Sequence, residues 1–157
     1  MGKEQLVIRR INEENYRKFS EVLQWRGTGV KEEKSEEEIK KVLEFFNKHD
    51  FFKNDHFLLF GAELDGEYVG YIGASFIPKP DNRLGTFFVD ELWVHEDYRG
   101  KNIAQALLDE VYNEGKRKGA WRVRLYVSEE NPAGRRAYAK NGYIEKGSCL
   151  FCERDYE

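Results

Sequence analysis

Strand-like and helix-like segments alternate along most of this chain, and their order restricts the fold more than any other feature of the sequence. The pattern of apolar residues gives one strand, two amphipathic helices, three strands, a helix, a strand, a helix and two short strands. Helices that separate strands in this way pack on the faces of the sheet. We therefore predict a mixed α/β fold, classed as α+β in some schemes, with a central sheet of about seven strands and helices on both faces.

Local signals mark several ends of these segments. Asn12 follows the first strand and is placed to cap the first helix. Ser35, with Glu38 three residues later, has the form of a capping box and predicts the start of the second helix. Asp65 and Gly66 are the kind of pair that joins two strands in a tight hairpin.

The chain shows no internal division. No repeat or low-complexity linker interrupts its 157 residues, and two domains of half that length would each have a small core. We therefore expect a single domain over residues 1–157. Its last two strands are expected around Tyr143 and around Leu150.

Charge and hydropathy exclude several classes of function. Lys and Arg number 26 against 29 Asp and Glu, so the net charge of -3 gives no general attraction to nucleic acid or to an anionic membrane. No apolar run approaches the roughly 20 residues of a membrane span, and the first residues lack the apolar stretch of a signal peptide. We expect a cytoplasmic protein that binds neither nucleic acid nor membranes.

The cysteines and histidines do not predict a metal site. Cys149 and Cys152 lie in a strand-like stretch, where a separation of three places their side chains on opposite faces. A zinc site needs further ligands, and His49, His56 and His95 are scattered far from the cysteines. We expect no metal cofactor and interpret the cysteines as small core or surface thiols.

A short loop between a strand and the helix predicted over residues 101–118 carries the most informative local sequence. The N-terminus of a helix offers unpaired backbone N–H groups and the positive end of its dipole, which together suit a pyrophosphate. Gly100 and Ala104 permit close approach of a ligand, while Arg99 and Lys101 add positive charge. The candidate phosphate-binding residues are Arg99, Gly100, Lys101, Asn102, Ile103 and Ala104.

This loop resembles the R/Q-x-x-G-x-G/A signature of the GNAT superfamily of acyl-CoA-dependent N-acetyltransferases. Asn102 stands where the family usually has Gly, and Asn is the other residue that best tolerates left-handed backbone geometry. Residues 131–143 resemble a second family motif, N-x-x-A-x-x-x-Y-x-K-x-G-F/Y, with Gly134 in the Ala position. The two motifs span most of the second half of the chain, whereas the first half matches the family only in the order of its elements.

The resemblance implies that acetyl-CoA is the acyl donor and a primary amine the acceptor. In the family the fourth and fifth strands splay apart, and the pantetheine arm lies in the gap. The backbone of Leu92, Trp93 and Val94 would then bond the arm, and an N–H near Leu92 would stabilise the oxyanion. Asn131 would contact the arm from the other side, and Tyr138, close to the sulfur, would act as general acid toward the leaving thiolate.

The acceptor amine needs a group that takes its proton, because an alkyl amine is only about one part in a thousand neutral at pH 7. Asp90 and Glu91, at the end of a strand, resemble the acidic pair of spermidine/spermine and thialysine N-acetyltransferases. Since adjacent strand residues face opposite ways, only one is expected to point into a given cleft. We rank Glu91 before Asp90 as the proton acceptor. His95 is a rival base, although a histidine at the end of a strand is more commonly a satisfied surface residue.

The sequence leaves the acceptor and the assembly open. Small-molecule amines such as polyamines, and amino acids, are favoured, with a protein N-terminus or lysine as the alternative. A different class of function is a catalytically silent module that senses CoA, but the chain retains Tyr138 and both acids. A purely structural or partner-binding domain would leave the phosphate loop unused. The resemblance also favours a homodimer over a monomer.

Overall fold

The sheet is built from five strands that lie side by side in the order in which they occur in the chain. A computed structural model describes residues 4–156. The strands are β1 (Leu6–Arg10), β2 (Phe57–Leu64), β3 (Glu67–Pro78), β4 (Gly85–Val94) and β5 (Arg122–Leu125). The helices are α1 (Tyr16–Thr28), α2 (Glu36–Lys48), α3 (Ile103–Arg117) and α4 (Pro132–Lys140), with 3-10 turns at Phe51–Lys53 and Glu96–Tyr98. The mixed α/β fold predicted from the order of segments is confirmed.

Strand directions follow from the connections between the strands. Among β1 to β4, neighbouring strands are antiparallel. The last strand, β5, is parallel to β4 because α3 crosses over between them. Pairing of β4 with β5 extends only from Thr86 to Val89. Residues 90–94 of β4 continue past this point without a β5 partner among the residues described. A gap therefore opens between the fourth and fifth strands, as predicted.

The prediction of about seven strands is wrong for the part of the chain from 4 to 156. No strand forms around Tyr143 or around Leu150, and the sheet ends at β5. A strand needs a neighbour to satisfy its backbone N–H and C=O groups, and this segment lies against no other strand. The apolar side chains of the stretch around Leu150 are accordingly exposed, Leu150 at 94% and Phe151 at 74%.

The two faces of the sheet have different cores. On one face α3 buries aliphatic side chains against the sheet, among them Leu107, Leu108 and Val111. On the other face α1 and α2 pack over an aromatic cluster. In this cluster Phe19 meets Tyr71 edge-on, with ring centroids 5.7 Å apart and an interplanar angle of 90°, a favourable arrangement for two aromatic rings. This contact fixes α1 over β3.

Helix and turn signals are partly confirmed. The capping box of Ser35 and Glu38 is present, and the turn at Asp65 and Gly66 has the two positive φ values, 50° and 85°, that a tight hairpin requires. The cap predicted at Asn12 is wrong: α1 begins later, and Asn12 Oδ1 instead accepts backbone N–H bonds from Glu14 and Asn15. None of the helices within residues 4–156 is long and apolar enough to cross a membrane.

Candidate active site

The pairing of β3 with β4 shifts register at Asp90. Gly73 pairs with Glu91, while the next residue, Ala74, pairs with Val89, so Asp90 is an extra residue without a partner in β3. Such a β-bulge bends the strand and redirects the side chains that follow it. The bulge directly follows Val89, the last residue of β4 that pairs with β5.

The bulge decides which side chains of β4 face α1. Val89 and Leu92 both pack in the core on the α3 face, whereas Trp93 packs with the aromatic cluster under α1 and α2. Glu91 lies on the same face as Trp93, because its carboxylate contacts Tyr71 of the same aromatic cluster. Strict alternation predicted that Asp90 and Glu91 would face opposite ways. The bulge breaks strict alternation between Val89 and Glu91, which are two residues apart and lie on opposite faces of the sheet. The expectation for Asp90 and Glu91 themselves stays a prediction.

Glu91 is held by two side chains from other elements. Arg26, in the last turn of α1, places Nη1 2.8 Å from Glu91 Oε1. The hydroxyl of Tyr71, a buried residue of β3, donates to Glu91 Oε2 at 3.1 Å and accepts a hydrogen bond from Arg26. Both oxygens of Glu91 therefore have partners, and the carboxylate has a fixed orientation.

Burial and hydrogen bonding set the protonation states of the partners of Glu91. Burial raises the pKa of Tyr71, so its hydroxyl keeps the proton that it donates. Burial lowers the pKa of Arg26, but hydrogen bonds to Glu91 and Tyr71 outweigh it, and the net pKa is raised. Arg26 is therefore a permanent cation beside Glu91.

Asp90 has a different environment from Glu91. Its side chain is exposed, and no ion pair or side-chain hydrogen bond reaches it from any residue between 4 and 156. A solvent-exposed carboxylate has free lone pairs that can accept a proton directly or through water. The carboxylate of Asp90 is therefore free to accept a proton, whereas both oxygens of Glu91 already have partners.

His95 is engaged in packing and in a turn. Its ring stacks on Trp25 with centroids 3.7 Å apart, and its Nδ1 accepts the backbone N–H of Asp97 at 3.3 Å. Trp93 and Tyr98 complete an aromatic group around it, each with ring centroids about 6 Å from that of His95. Its Nδ1 is therefore engaged, but no residue between 4 and 156 bonds its Nε2, so His95 stays a rival base. Sequence reasoning identified Trp93 and His95 but did not join Trp25 to them.

The loop before α3 has the geometry of an anion seat. Gly100 and Asn102 both have left-handed backbone, with φ values of 77° and 60°, which confirms the prediction made for Asn102. The helix α3 begins directly afterwards at Ile103, so its first N–H groups point toward the loop. Lys101 pairs with Glu4 at 2.6 Å, and Arg99 Nε donates to the carbonyl of Val94 at 3.2 Å. Because both of these side chains have partners, the backbone N–H groups of the loop are the more available hydrogen-bond donors for a phosphate.

The second motif forms α4 and its cap. Asn131 Oδ1 accepts the backbone N–H of Gly134 at 2.9 Å, as expected for a helix cap. A Cβ atom on Gly134 would lie 2.7 Å from Asn131 Nδ2, so Ala at this position would require the Asn131 side chain to shift. Tyr138 is half-buried against the α3-side core, and burial raises its pKa.

Tyr138 and Glu91 lie on opposite faces of the sheet. Tyr138 packs with the core that includes Leu92, whereas Glu91 faces α1. The gap between β4 and β5 connects the two faces. A thioester in that gap would have Glu91 on one side and Tyr138 on the other.

Comparison with known proteins gives the following matches. Residues 14–143 match the sequence profile of the acetyltransferase (GNAT) family. A spermidine N(1)-acetyltransferase of Thermoplasma acidophilum is 33% identical over 103 residues, which are 64% of this chain and 60% of that protein. An acetyltransferase of Pectobacterium atrosepticum is 32% identical over 108 residues, 66% of this chain and 72% of that protein. The chain thus aligns with less than two thirds of the length of the Thermoplasma protein.

The fold has a counterpart among solved structures. The aminoglycoside N-acetyltransferase AAC(6')-Iy in complex with CoA superposes with a TM-score of 0.74. The sequence identity is 18%, and the superposition covers 98% of this chain and 97% of the other. At this identity the likeness concerns the fold alone.

Proposed function

Because this chain belongs to the acetyltransferase (GNAT) family, we propose that it transfers the acetyl group of acetyl-CoA to a primary amine. The observation that carries this proposal is the gap beside residues 90–94 of β4, next to a loop with left-handed Gly100 and Asn102. An extended ligand with a phosphate at one end fits a free strand edge that leads into a helix N-terminus. Residues 1–157 would act as one catalytic domain.

In this proposal the donor binds through backbone groups. The pantetheine arm lies along Leu92, Trp93 and Val94, with Asn131 on its other side. The pyrophosphate occupies the loop and the first turn of α3, whose lining residues are Arg99, Gly100, Lys101, Asn102, Ile103 and Ala104. A backbone N–H near Leu92 bonds the thioester oxygen and stabilises the negative charge that develops on it.

The acceptor nitrogen attacks the thioester carbon after it has lost a proton to a carboxylate. Glu91 and Asp90 are the two candidates. Glu91 is fixed by Arg26 and Tyr71, while Asp90, its exposed neighbour in the bulge, has free lone pairs. The nitrogen of the tetrahedral intermediate carries one surplus proton. As the intermediate collapses, the C–S bond breaks, the CoA thiolate leaves with the electron pair of that bond, and the nitrogen releases its surplus proton while the thiolate takes one up. An acetylated amine and CoA are the products.

Tyr138 assists the departure of the sulfur. Burial raises its pKa, so the hydroxyl is protonated throughout the neutral range and is available as a donor. A thiol with a pKa near 8.5 is more acidic than a phenol near 10, so a hydrogen bond to the thiolate is easier than complete proton transfer. Removing this hydroxyl should therefore slow turnover without weakening donor binding.

The acceptor that we favour is a small-molecule amine, either a polyamine or an amino acid. The Thermoplasma relative, named as a spermidine acetyltransferase, supports the first of these. A protein N-terminus or lysine is the alternative acceptor. A silent CoA sensor is the alternative from another class, and it differs from the enzyme in binding the donor without consuming it.

A panel of amines with acetyl-CoA, read by the release of free thiol, tests the proposal. The panel contains polyamines, amino acids, aminoglycosides and short peptides with free N-termini. Thiol release that requires both protein and amine is the expected result. Acetyl-CoA binding without turnover on any amine would support the sensor, and failure to bind acetyl-CoA at millimolar concentration would refute both functions.

A further inference from the structure

Arg26 has donors that the protein leaves unused. Its Nη1 group makes the contacts with Glu91 and Tyr71, and no residue between 4 and 156 accepts a hydrogen bond from its Nε or Nη2. The Arg26 side chain is 40% exposed. These two groups point in the same direction along one edge of the guanidinium, which is the edge that matches the two oxygens of a carboxylate.

Other arginines of this protein show what that edge binds. Arg9 uses Nε and Nη2 to hold both oxygens of Glu63, at 2.9 and 3.3 Å. Arg135 binds both oxygens of Glu145 with the same two groups, at 2.7 and 2.8 Å. Arg83 does the same to Asp81. In Arg26 this edge is open, although the guanidinium itself is already fixed by its third nitrogen.

The position of Arg26 indicates what its open edge, formed by Nε and Nη2, can bind. The guanidinium lies on the α1 face of β4 beside Glu91, and the exposed Asp90 is the adjacent residue in the bulge. Glu91 already forms an ion pair with Arg26. Asp90 has no such partner among residues 4–156 and can attract a cation. Lys31, a cation that lies over the ring of Trp25, is already paired with Glu67 at 2.7 Å. The site therefore offers a place for an ammonium group and a separate place for a carboxylate.

We infer that the acceptor is an amine that also carries a carboxylate, and that Arg26 is the residue that selects for it. This inference rests on the proposed acetyl transfer and narrows its acceptor from amines in general to the amino-acid class. The acceptor carboxylate binds the Nε and Nη2 edge of Arg26, and the amine that reacts lies toward Asp90. A polyamine has no acceptor group for this edge and leaves its two donors unpaired.

Pairs of acceptors that differ only in a carboxylate test the inference. Lysine and cadaverine, ornithine and putrescine, histidine and histamine, and tryptophan and tryptamine are such pairs. For each pair kcat/KM is measured with acetyl-CoA, and the ratio of amino acid to decarboxylated amine is compared between variants. In the wild-type protein we expect a ratio on the order of tenfold to a hundredfold, because a bidentate pair with a charged group is left unmade in the decarboxylated amine.

Substitutions of Arg26 separate selection from a general effect on the site. Arg26→Met should bring the ratio close to one, even if the loss of its contact with Glu91 lowers turnover of both acceptors. Arg26→Lys keeps a charge beside Glu91 but has no two-pronged edge, so an intermediate ratio is expected. Arg17→Met is the matched control, since Arg17 is in the same helix, has a similar exposure of 42% and binds Glu33 away from β4. This control should leave the ratio unchanged.

The possible failures are distinguishable. A wild-type ratio near one, a ratio that Arg26→Met does not change, or turnover only with amines that lack a carboxylate would overturn the role of Arg26. In each of these cases thiol release still supports the proposed transfer. If no amine is acetylated at all, the proposed function fails, and selection by Arg26 fails with it.

Discussion

Nη1 of Arg26 lies 2.8 Å from Oε1 of Glu91 and joins the end of α1 to the bulge of β4. The contact depends on where α1 ends. Gly29, with a φ of 77°, closes the helix one turn after Arg26, and the packing of Phe19 on Tyr71 fixes the helix over the sheet. Glu91 is thereby held from a separate element, while Asp90 beside it is left free.

Substitution of the two acids tests their role in proton transfer. Glu91→Gln or Asp90→Asn should lower turnover about a hundredfold at pH 7, and the loss should shrink toward pH 10 because the amine then loses its proton unaided. The pH dependence of kcat/KM measures this. Glu67→Gln, an acid of β3 paired with Lys31, serves as control. Profiles that both substitutions leave unchanged would place the base elsewhere.

Tyr138→Phe removes one oxygen and retains the ring that packs on the α3-side core. If the hydroxyl assists the leaving thiolate, turnover should fall about tenfold to a thousandfold while the acetyl-CoA dissociation constant stays the same. The turnover and the acetyl-CoA dissociation constant of this variant together distinguish a hydroxyl that assists the thiolate from one that only packs. If Tyr138 serves only in packing, Phe replaces it without loss, and unchanged turnover would remove Tyr138 from the site.

Features that depend on a few neighbouring residues could be predicted from the sequence. The capping box of Ser35 and Glu38 and the hairpin turn at Asp65 and Gly66 are set by local backbone geometry, and both are confirmed. The left-handed conformation of Asn102 is also local, since few other residues tolerate it. The loop before α3 could therefore be predicted as a candidate phosphate site before its surroundings were known.

Features that depend on contacts between distant elements could not be predicted. Arg26 and Tyr71 carry no motif, and their relation to Glu91 exists only because α1 packs over β3. No glycine marks the bulge at Asp90 in the sequence, so the sequence alone predicts uninterrupted alternation of side chains along this strand. The strands expected around Tyr143 and Leu150 show the opposite failure, because a strand-like pattern forms no strand where no partner strand lies beside it.

The phosphate seat can be tested by thermal stability. A ligand that binds only the folded state adds about 1.4 kcal/mol at ten times its dissociation constant, so acetyl-CoA should raise Tm. Ala104→Glu places a carboxylate and added bulk in the first turn of α3 and should abolish the shift. Asn113→Glu adds the same charge at an exposed position later in α3 and should preserve it. A shift that Ala104→Glu retains would exclude this loop as the donor site.

Tyr143 should make the protein sensitive to alkali. Burial raises its pKa to about 12, so the folded state keeps a proton that the unfolded state releases above pH 10. The associated stability is complete below pH 10 and is lost as the pH rises toward 12, by at most about 1.4 kcal/mol per pH unit. Tyr143→Phe should flatten this decline, measured by urea unfolding between pH 9 and 11.5. A decline equally steep in the variant would show that another group is responsible.

The close approach of β3 to the end of β4 gives the last prediction. A Cβ atom on Gly70 would lie 2.7 Å from the carbonyl oxygen of Trp93 and 3.2 Å from the Cα of Val94, and backbone atoms cannot move aside as a flexible side chain can. Gly70→Ala should therefore displace the end of β4 and lower the free energy of unfolding by about 1–3 kcal/mol. Because Trp93 and Val94 are the proposed contacts of the pantetheine arm, acetyl-CoA affinity should fall as well.

Gly73→Ala is the matched control for this displacement. Gly73 is in the same strand and is also buried, but its added Cβ would meet only the ring of Phe57 at 3.6 Å, an ordinary contact distance. Urea unfolding and acetyl-CoA titration of both variants should show the two losses in Gly70→Ala alone. Equal stability of the two variants would contradict the close approach at Gly70. A stability loss without any loss of acetyl-CoA affinity would instead separate the end of β4 from the donor site.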